Sequence, residues 1–322
     1  MQNNLLRVGL AQIAPVWLDK EATIEKIITY IKNASSNNCD LVSFGEAFLP
    51  GYPFWVEKTN GAKFNSDIQK EFYAYYASQA IQISAGHLIS ICETCKKLNI
   101  AAVLGIIERP QDRGGHSLYC SLVYIDRNGE IKSVHRKLMP TYEERLVWST
   151  GDGNGLKVHK LGSFTLGGLN CWENWMPLAR TALYALGENL HVAIWPGNID
   201  NTSDITKLIA KESRSYVISV SGLMRKADIG KDIPHKKLLE ENCSEWLANG
   251  GSCLAGPDGE WIIKPQKEKE ELFIATIDFN KVLQERHNFD PSGHYSRPDV
   301  LQLAVNQERQ TILNLKNKDS LR

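Results

Sequence analysis

The spacing of apolar residues along the chain predicts strands and helices that alternate. Short runs rich in β-branched and aromatic residues indicate strands, and longer segments with apolar residues on one helical face indicate helices. The predicted strands are 6–12, 40–44, 100–107, 117–125, 131–135, 163–166, 191–195 and 216–223. The predicted helices are 20–34, 66–80, 83–98, 178–186 and 204–215. This alternation favours an α/β or α+β fold in which helices cover the faces of sheets.

The later part of the chain is less regular. Residues 225–249 are polar with few periodic apolar positions, which predicts either a lid or a surface loop. Three apolar runs at 251–254, 261–264 and 272–277 predict a closing set of antiparallel strands. The last dozen residues are rich in Asn, Lys and Asp, and we expect them to fray.

Composition narrows the class of protein. The chain has 322 residues, a formal net charge of zero and 43% hydrophobic residues. This balance gives no electrostatic reason to expect nucleic acid or an anionic membrane as a partner. No stretch approaches the about 20 apolar residues that a membrane-spanning helix needs. The seven cysteines, an odd number in a large chain, are typical of a reducing compartment, so we expect a cytoplasmic protein.

The turn around Cys171 is the strongest candidate for chemistry. It connects a predicted strand to a predicted helix, with Pro177 suited to the first helical turn and Gly187 to the end of the helix. The two glycines before it allow a ligand to approach, and the helix N-terminus would favour a thiolate. A cysteine in an apolar run is more often a core residue, but this turn and its polar neighbours favour a nucleophile.

Three other polar residues stand where predicted strands end. Glu46 follows the second strand in a loop rich in Pro and Gly, Lys137 follows the strand that ends at His135, and Glu144 begins a short helical turn. A glutamate after a strand is usually solvated, so each position alone is ordinary. Ligands bind at the carboxyl ends of strands. Together with Cys171, these residues would supply a nucleophile, a base, a cation and a carboxylate that fixes the cation.

Several aromatic residues are candidates to line an apolar substrate pocket beside these positions. They are Tyr52, Trp55, Tyr142, Trp172 and Trp195. Core packing is an equally good interpretation for Trp55 and Trp195. The backbone N–H of Trp172 is a candidate donor to an oxyanion.

Three blocks of the sequence resemble the signature blocks of the carbon–nitrogen hydrolase superfamily. They are Phe44-Gly45-Glu46, His135-Arg136-Lys137 followed by Glu144-Arg145, and Asn170-Cys171-Trp172-Glu173-Asn174. Cys171-Trp172-Glu173 resembles the nitrilase branch, as do residues 49–55 and 293–300. Gly45 departs from the pattern, because many members have proline before the glutamate. This change should alter the turn and leave the role of the glutamate intact.

The resemblance extends over nearly the whole chain and implies a fold and an assembly. It implies a four-layer αββα sandwich in one domain over residues 1–303, followed by a C-terminal tail over residues 304–322. It also implies a homodimer of the form αββα–αββα, joined through the helix after Cys171 and the helix at 204–215. Such dimers can extend into a spiral or filament.

The resemblance also implies a function. A nitrilase converts an organic nitrile to a carboxylic acid and ammonia through a thioimidate and an acyl-enzyme, both on Cys171. Glu46 is implied to be the proton acceptor, Lys137 to stabilise developing charge, and Glu144 to hold Lys137. Neither a metal ion nor an organic cofactor is implied.

Several alternatives remain open at the level of the sequence. An amidase, a carbamoyl hydrolase or a cyanide-degrading enzyme would use the same four residues, and a non-catalytic binding or assembly protein could share the fold. The identity of the nitrile, the release of amide as a by-product and the number of subunits are not specified by the sequence.

Overall fold

The computed structural model describes residues 4–313. Its strands are β1 Leu5–Gln12, β2 Leu41–Phe44, β3 Ala101–Glu108, β4 Tyr119–Ile125, β5 Ile131–Arg136, β6 His159–Leu161, β7 Phe164–Asn170, β8 Leu190–Trp195, β9 Tyr216–Ser221, β10 Leu223–Arg225, β11 Trp246–Ala255, β12 Trp261–Lys267 and β13 Glu271–Asp278. Its α-helices are α1 Lys20–Ser36, α2 Trp55–Lys58, α3 Asp67–Gln79, α4 Ile89–Leu98, α5 Pro177–Ala185, α6 Ile199–Ser213, α7 Lys236–Glu241 and α8 Phe279–Asn288. None of these helices combines the length and the apolar character that crossing a bilayer requires.

The strands form two sheets, and in each sheet several strands run in the same direction, so their carboxyl ends lie at the same edge. The first sheet has the order β13-β1-β2-β3-β4-β5, and the second has the order β10-β11-β9-β8-β7-β6 with β12 paired to β11. Strands β1, β2 and β3 are parallel, and the antiparallel pairs β3–β4 and β4–β5 turn β5 in the same direction. Strands β7, β8 and β9 are parallel in the second sheet. The carboxyl ends of β2 and β5 therefore lie at one edge of the first sheet, and those of β7 and β8 lie at one edge of the second.

Side chains that alternate along the central strands divide the interior into layers. One face of each sheet packs against the other sheet through a shared cluster that includes Val8, Leu10, Val103, Val192, Ile194, Ile218 and Val220. The other face of the first sheet is covered by α1 and α4 through Ile24, Ile27, Ile31, Ile91 and Cys95. The other face of the second sheet is covered by α6 through Ile205, Ile209 and Ala210. The order helix, sheet, sheet, helix confirms the predicted αββα sandwich.

Two predicted helices have different bounds in the structure. The segment predicted as one helix over 83–98 is a short 3₁₀ helix, Ile83–Ala85, followed by α4, because Gly86 interrupts it with a φ of +85°. Helix α6 begins at Ile199, five residues before the apolar spacing predicted. The side chain of Asn198 accepts a hydrogen bond from the N–H of Asp200 and so caps a polar first turn.

The three runs predicted as a closing antiparallel set do pair antiparallel, but they are divided between the two sheets. Strand β12 pairs with β11 in the second sheet, whereas β13 pairs antiparallel with β1 in the first. The chain therefore crosses between the sheets after β12. Helix α8 was not predicted from the sequence. It is capped by the side chain of Asp278 and buries only Val282, so its apolar spacing is weak.

Residues 225–249 are packed onto the body of the protein. They contain α7, and Ile233 and Leu239 belong to a buried cluster with Trp55. The His235 imidazole contacts the Glu71 carboxylate of α3 at 2.8 Å. The segment is therefore a covering layer on α3, and Trp55 belongs to the core.

The described part of the predicted tail also contacts the body. The Arg309 guanidinium donates to Asp152 Oδ1 at 2.9 Å, to the carbonyl of Val134 at 3.0 Å and to Asn154 Oδ1 at 3.1 Å. The N–H of Gln310 donates to Asp152 Oδ2 at 3.1 Å. The boundary at residue 303 stays a prediction, and residues 314–322 of the tail lie outside the described residues.

Replacing Arg309 should show how much the contacts of the tail contribute to the free energy of unfolding. We expect Arg309→Ala to lower the free energy of unfolding by about 1.5–3 kcal/mol, the usual contribution of a hydrogen bond to a charged group. The reason is that the Asp152 side chain is only 4% exposed, so its carboxylate would remain buried without the Arg309 guanidinium. The control is Arg297→Ala, because its partner Asp299 is 62% exposed, and we expect a change below about 0.5 kcal/mol. Urea unfolding measures both, and equally small changes would contradict the prediction.

Candidate active site

The loop after β2 carries Glu46 to the edge where the two sheets meet. The N–H of Glu46 donates to the carbonyl of Trp195, the last residue of β8, at 3.1 Å. Gly105 on β3 permits this path, since a Cβ there would lie 2.2 Å from the carbonyl oxygen of Gly45 and 2.8 Å from the Glu46 Cα. The position of Glu46 is therefore fixed by a strand from each sheet.

Lys137 leaves the end of β5 and points into the interior. Its side chain is fully buried, and its Nζ donates to Glu46 Oε1 at 2.8 Å and to Glu144 Oε2 at 2.7 Å. The ring of Trp148 lies beside it, with its centroid 5.6 Å from Nζ. The ammonium is thus held between two carboxylates in a site with little water access.

Glu144 is oriented by its own turn. It lies in a 3₁₀ helix, Tyr142–Leu146, in which it forms a capping box with Thr141. The N–H of Thr141 donates to Glu144 Oε2 at 2.6 Å, and the Tyr52 hydroxyl donates to Glu144 Oε1 at 3.1 Å. Both oxygens of this carboxylate are therefore fixed before any substrate binds.

Cys171 follows directly after β7 in a left-handed backbone conformation, with a φ of +47°. This conformation costs a residue with a Cβ about 1–2 kcal/mol. It is held by the side chain of Asn174, whose Nδ2 donates to the carbonyl of Cys171 at 2.8 Å. The sulfur, one carboxylate oxygen of Glu46 and one of Glu144 all lie within 4.8 Å of one another. The structure thus brings the four residues named from the sequence into one buried cluster.

Burial and the Lys137 ammonium shift the pKa of Glu46 in opposite directions. Burial raises the pKa of Glu46 to about 8, even though Lys137 opposes the shift. Burial alone would lower the pKa of Lys137, but the neighbouring carboxylates of Glu46 and Glu144 raise it well above its usual value. The lysine therefore stays protonated, and the carboxyl group of Glu46 can exchange a proton near neutral pH.

The expectation that a helix N-terminus stabilises a thiolate at Cys171 is wrong. A five-residue 3₁₀ helix, Cys171–Trp175, separates the sulfur from α5, which begins only at Pro177. Burial raises the pKa of Cys171 well above its usual value, and Lys137 and the N–H of Trp172 offset only part of this shift. This shift favours the neutral thiol, so attack by the sulfur calls for a neighbouring base that removes its proton.

With Trp55 in the core, the other four aromatic candidates divide into two pairs. Tyr52 contacts Glu144 as described, and Trp195 is fully buried in the same apolar cluster as Cys171. The side chains of Trp172 and Tyr142 are 49% and 82% exposed. The first pair therefore lies against the buried cluster of Glu46, Lys137, Glu144 and Cys171, and the second pair lies at the surface beside it.

Further residues that were not assigned from the sequence contact this cluster. The carbonyl of Cys120 accepts from the N–H of Lys137 at 2.8 Å, and Glu143 shares the Tyr52 hydroxyl with Glu144 at 3.1 Å. Glu173 is also buried, and it forms a capping box with Asn170. The sequence does indicate this contact, because an acidic residue three positions after a capping residue such as Asn170 is the pattern of a capping box.

The cluster also determines where a metal ion could bind. Among residues 4–313, Glu46, Glu144 and Cys171 form the group whose ligand atoms converge closely enough to hold one. The ammonium of Lys137 already lies at hydrogen-bond distance from both carboxylates. The positive charge that an ion would bring to them is thus supplied by a side chain of the protein.

Comparisons with known proteins agree with this geometry. The family model for carbon-nitrogen hydrolase matches residues 7–286. An aliphatic nitrilase of Rhodococcus rhodochrous is 32% identical over 97% of this chain and 85% of its own length. Nitrilase 1 of Arabidopsis thaliana is 35% identical over 94% of this chain and 87% of its own length. The crystal structure of a carbon-nitrogen hydrolase from Helicobacter pylori G27 has a TM-score of 0.66 at 20% identity, and the match covers 93% of this chain and 97% of that one.

The chain therefore belongs to the carbon–nitrogen hydrolase family, as its three sequence blocks predicted. Both of these relatives, each similar over almost the whole of this chain, are nitrilases.

The protonation of Glu46 should make stability depend on pH. Its pKa of about 8 in the folded protein exceeds the ordinary value of 4.5, so the folded state binds this proton more tightly. The resulting stabilisation is complete below the ordinary pKa and is lost as the pH rises through about 8. Glu46→Gln lacks this contribution. Urea unfolding of both proteins from pH 5 to pH 8 should show the wild-type advantage shrinking as pH rises, and parallel curves would contradict the assignment.

Proposed function

We propose that the protein is a nitrilase that hydrolyses an organic nitrile, R–C≡N, to a carboxylic acid and ammonia. The observation that carries this proposal is the buried cluster in which a thiol, two carboxylates and an ammonium converge. The nitrilase relatives, 32% and 35% identical over almost the whole chain, support it.

The first half of the reaction attaches the substrate to Cys171. The neutral thiol gives its proton to the Glu46 carboxylate as the sulfur attacks the nitrile carbon. Glu46 then delivers that proton to the nitrile nitrogen, which leaves a covalent thioimidate. The net charge of the cluster is the same before and after this step. The proton moves from the Cys171 thiol through Glu46 to the substrate nitrogen, so Glu46 ends as the carboxylate it began as.

The second half consumes two water molecules. Glu46 takes a proton from the first water as its oxygen adds to the thioimidate carbon, and then returns that proton to the nitrogen. The carbon–nitrogen bond breaks, the new hydroxyl group gives its proton to the departing nitrogen through Glu46, and ammonia leaves a thioester. The second water cleaves the thioester to the acid and returns a proton to the sulfur. Lys137 stabilises the negative charge that develops at each addition.

The remaining candidates have supporting roles in this proposal. Glu144, which is fixed by Thr141 and Tyr52, holds Lys137 in its charged form. Tyr52 and Trp195 form the inner wall of the substrate site, since both lie against the cluster. Trp172 and Tyr142 lie at its outer side, and the N–H of Trp172 is the candidate oxyanion donor.

Loss of the sulfur should abolish ammonia release. We expect Cys171→Ala to reduce turnover by at least about 10³-fold. Losses of this size are usual when one residue is removed from a set of catalytic residues that act together. Cys243→Ala, which removes a half-buried thiol elsewhere in the chain, is the control and should retain activity. Lys137→Ala should be folded and inactive. Substantial turnover by Cys171→Ala would exclude this cysteine as the nucleophile.

The same ammonia assay distinguishes the competing activities. It should include aliphatic, aryl and arylacetonitrile substrates, the matching amides and inorganic cyanide. Faster release from an amide than from its nitrile would indicate an amidase or carbamoyl hydrolase, and a preference for inorganic cyanide would indicate a cyanide-degrading enzyme. Folded protein that releases no ammonia from any of them would favour a binding or assembly role.

The proposal includes a homodimer in the cytoplasm that can extend into a spiral or filament. An apolar surface around α5 and α6 supports the pairing, because exposed apolar side chains in such number mark interaction sites. They are Trp172, Trp175, Met176, Leu178, Leu186 and Leu208. All seven cysteines are free, which agrees with a reducing compartment.

A charge on this surface should break the dimer. Leu178 is 67% exposed, so Leu178→Asp should leave the fold intact while a buried apolar contact between subunits is lost. Light scattering after gel filtration should then show the monomer mass. Leu283→Asp on α8 is the matched control, since Leu283 is 54% exposed outside this surface. Wild-type mass for Leu178→Asp would place the interface elsewhere.

A further inference from the structure

The carboxylate of Glu173 joins two segments that carry the proposed catalytic groups. It lies two residues after Cys171, and its Oε2 accepts from the N–H of Asn170 at 2.9 Å. Its Oε1 accepts from the N–H of Leu138 at 2.6 Å. Both oxygens lie 3.1 Å from His135 Nε2. One buried carboxylate thus contacts residues on both sides of Lys137 and the turn of the nucleophile.

The contact with Leu138 is significant because of the geometry of the peptide bond. The N–H of Leu138 and the carbonyl of Lys137 belong to the same planar unit. Glu173 holds the N–H end of that unit, and the N–H of Gly151 donates to its carbonyl end at 2.8 Å. The preceding unit is held by the bond from the Lys137 N–H to Cys120. The backbone from which the lysine side chain extends is therefore fixed at three points.

Capping alone does not account for this arrangement. A capping box needs only the bond from the Asn170 N–H, which satisfies one free donor of the turn. The contacts of Glu173 with His135 and Leu138 reach to β5 and the loop after it, in the other sheet. The carboxylate therefore connects an element of one sheet to an element of the other at the edge where the site lies.

We propose that Glu173 is a positioning residue that sets the distance between the Lys137 ammonium and the Cys171 sulfur. It touches neither the sulfur nor the ammonium, and it acts through the backbone on which each is carried. Burial alone would raise the pKa of Glu173, but hydrogen bonds from His135 and from two backbone N–H groups hold it below its usual range, so the carboxylate is ionised. The inference rests on the proposed function, because it assigns Glu173 to the same reaction.

The first measurement is the turnover of Glu173→Gln. In Glu173→Gln, the NH₂ group of the amide faces the N–H of either Leu138 or Asn170 and cannot accept a hydrogen bond from it. One of these two backbone hydrogen bonds is therefore lost. We expect kcat to fall by about 100-fold, the scale of an ångström-sized misplacement, with KM changed by less than about threefold. The matched control is Asp40→Asn at the opposite end of β2. Asp40 also joins two segments, through the Arg7 N–H at 2.8 Å and Arg127 at 2.5 Å, and its loss should leave kcat unchanged.

The second measurement separates positioning from general support of the fold. Alkylation of Cys171 by iodoacetamide, followed by mass spectrometry of its peptide, reports how readily the thiol loses its proton without any turnover. Glu173→Gln should slow this alkylation about tenfold or more in the wild-type background. In the Lys137→Ala background it should have no further effect, because the group through which it acts is gone. An equal slowing in both backgrounds would overturn the proposal.

The two readouts keep this inference distinct from the proposed function. If no nitrile is hydrolysed, the alkylation test still measures the coupling of Glu173 to Lys137. If Glu173→Gln does not fold, Glu173→Asp is measured in the same way. It keeps the charge but shortens the reach, so it should also lose kcat, and wild-type rates for it would overturn the proposal.

Discussion

The buried ammonium of Lys137 between the carboxylates of Glu46 and Glu144 is the interaction on which the site depends. Removing one partner from a buried ion pair typically costs about 3–5 kcal/mol, because the other charge is left without compensation. The surrounding structure therefore has to hold all three groups at once. The turn of Thr141 and the hydroxyl of Tyr52 fix Glu144, and the close approach of Gly105 fixes the path of Glu46.

This requirement explains why the site lies at the edge of the sandwich. Glu46 and Lys137 follow strands of the first sheet, and Cys171 follows a strand of the second. The site exists only when the two sheets are packed together, so the apolar cluster between them is also part of the catalytic architecture. The left-handed backbone of Cys171 and the buried charges are unfavourable by themselves, and packing of the layers offsets them.

Much of this arrangement could be predicted from the sequence because its signals are local. Most strands and helices followed from apolar spacing, and the polar residues at strand ends identified Glu46, Lys137 and Cys171. The crossing of β13 to the first sheet could not be predicted, since periodicity does not show which strand pairs with which. Helix α8 was missed for a different reason, because it contains few apolar residues and buries only Val282. The contact of Glu173 with Leu138 depends on the packing of two sheets, which no local pattern contains.

The raised pKa of Cys171 has a consequence for the chemical durability of the protein. Oxidation of a cysteine by peroxide follows thiolate character and solvent access. Burial raises the pKa of Cys171 and leaves the residue only 3% exposed. The same burial should therefore slow the oxidation of this sulfur by peroxide.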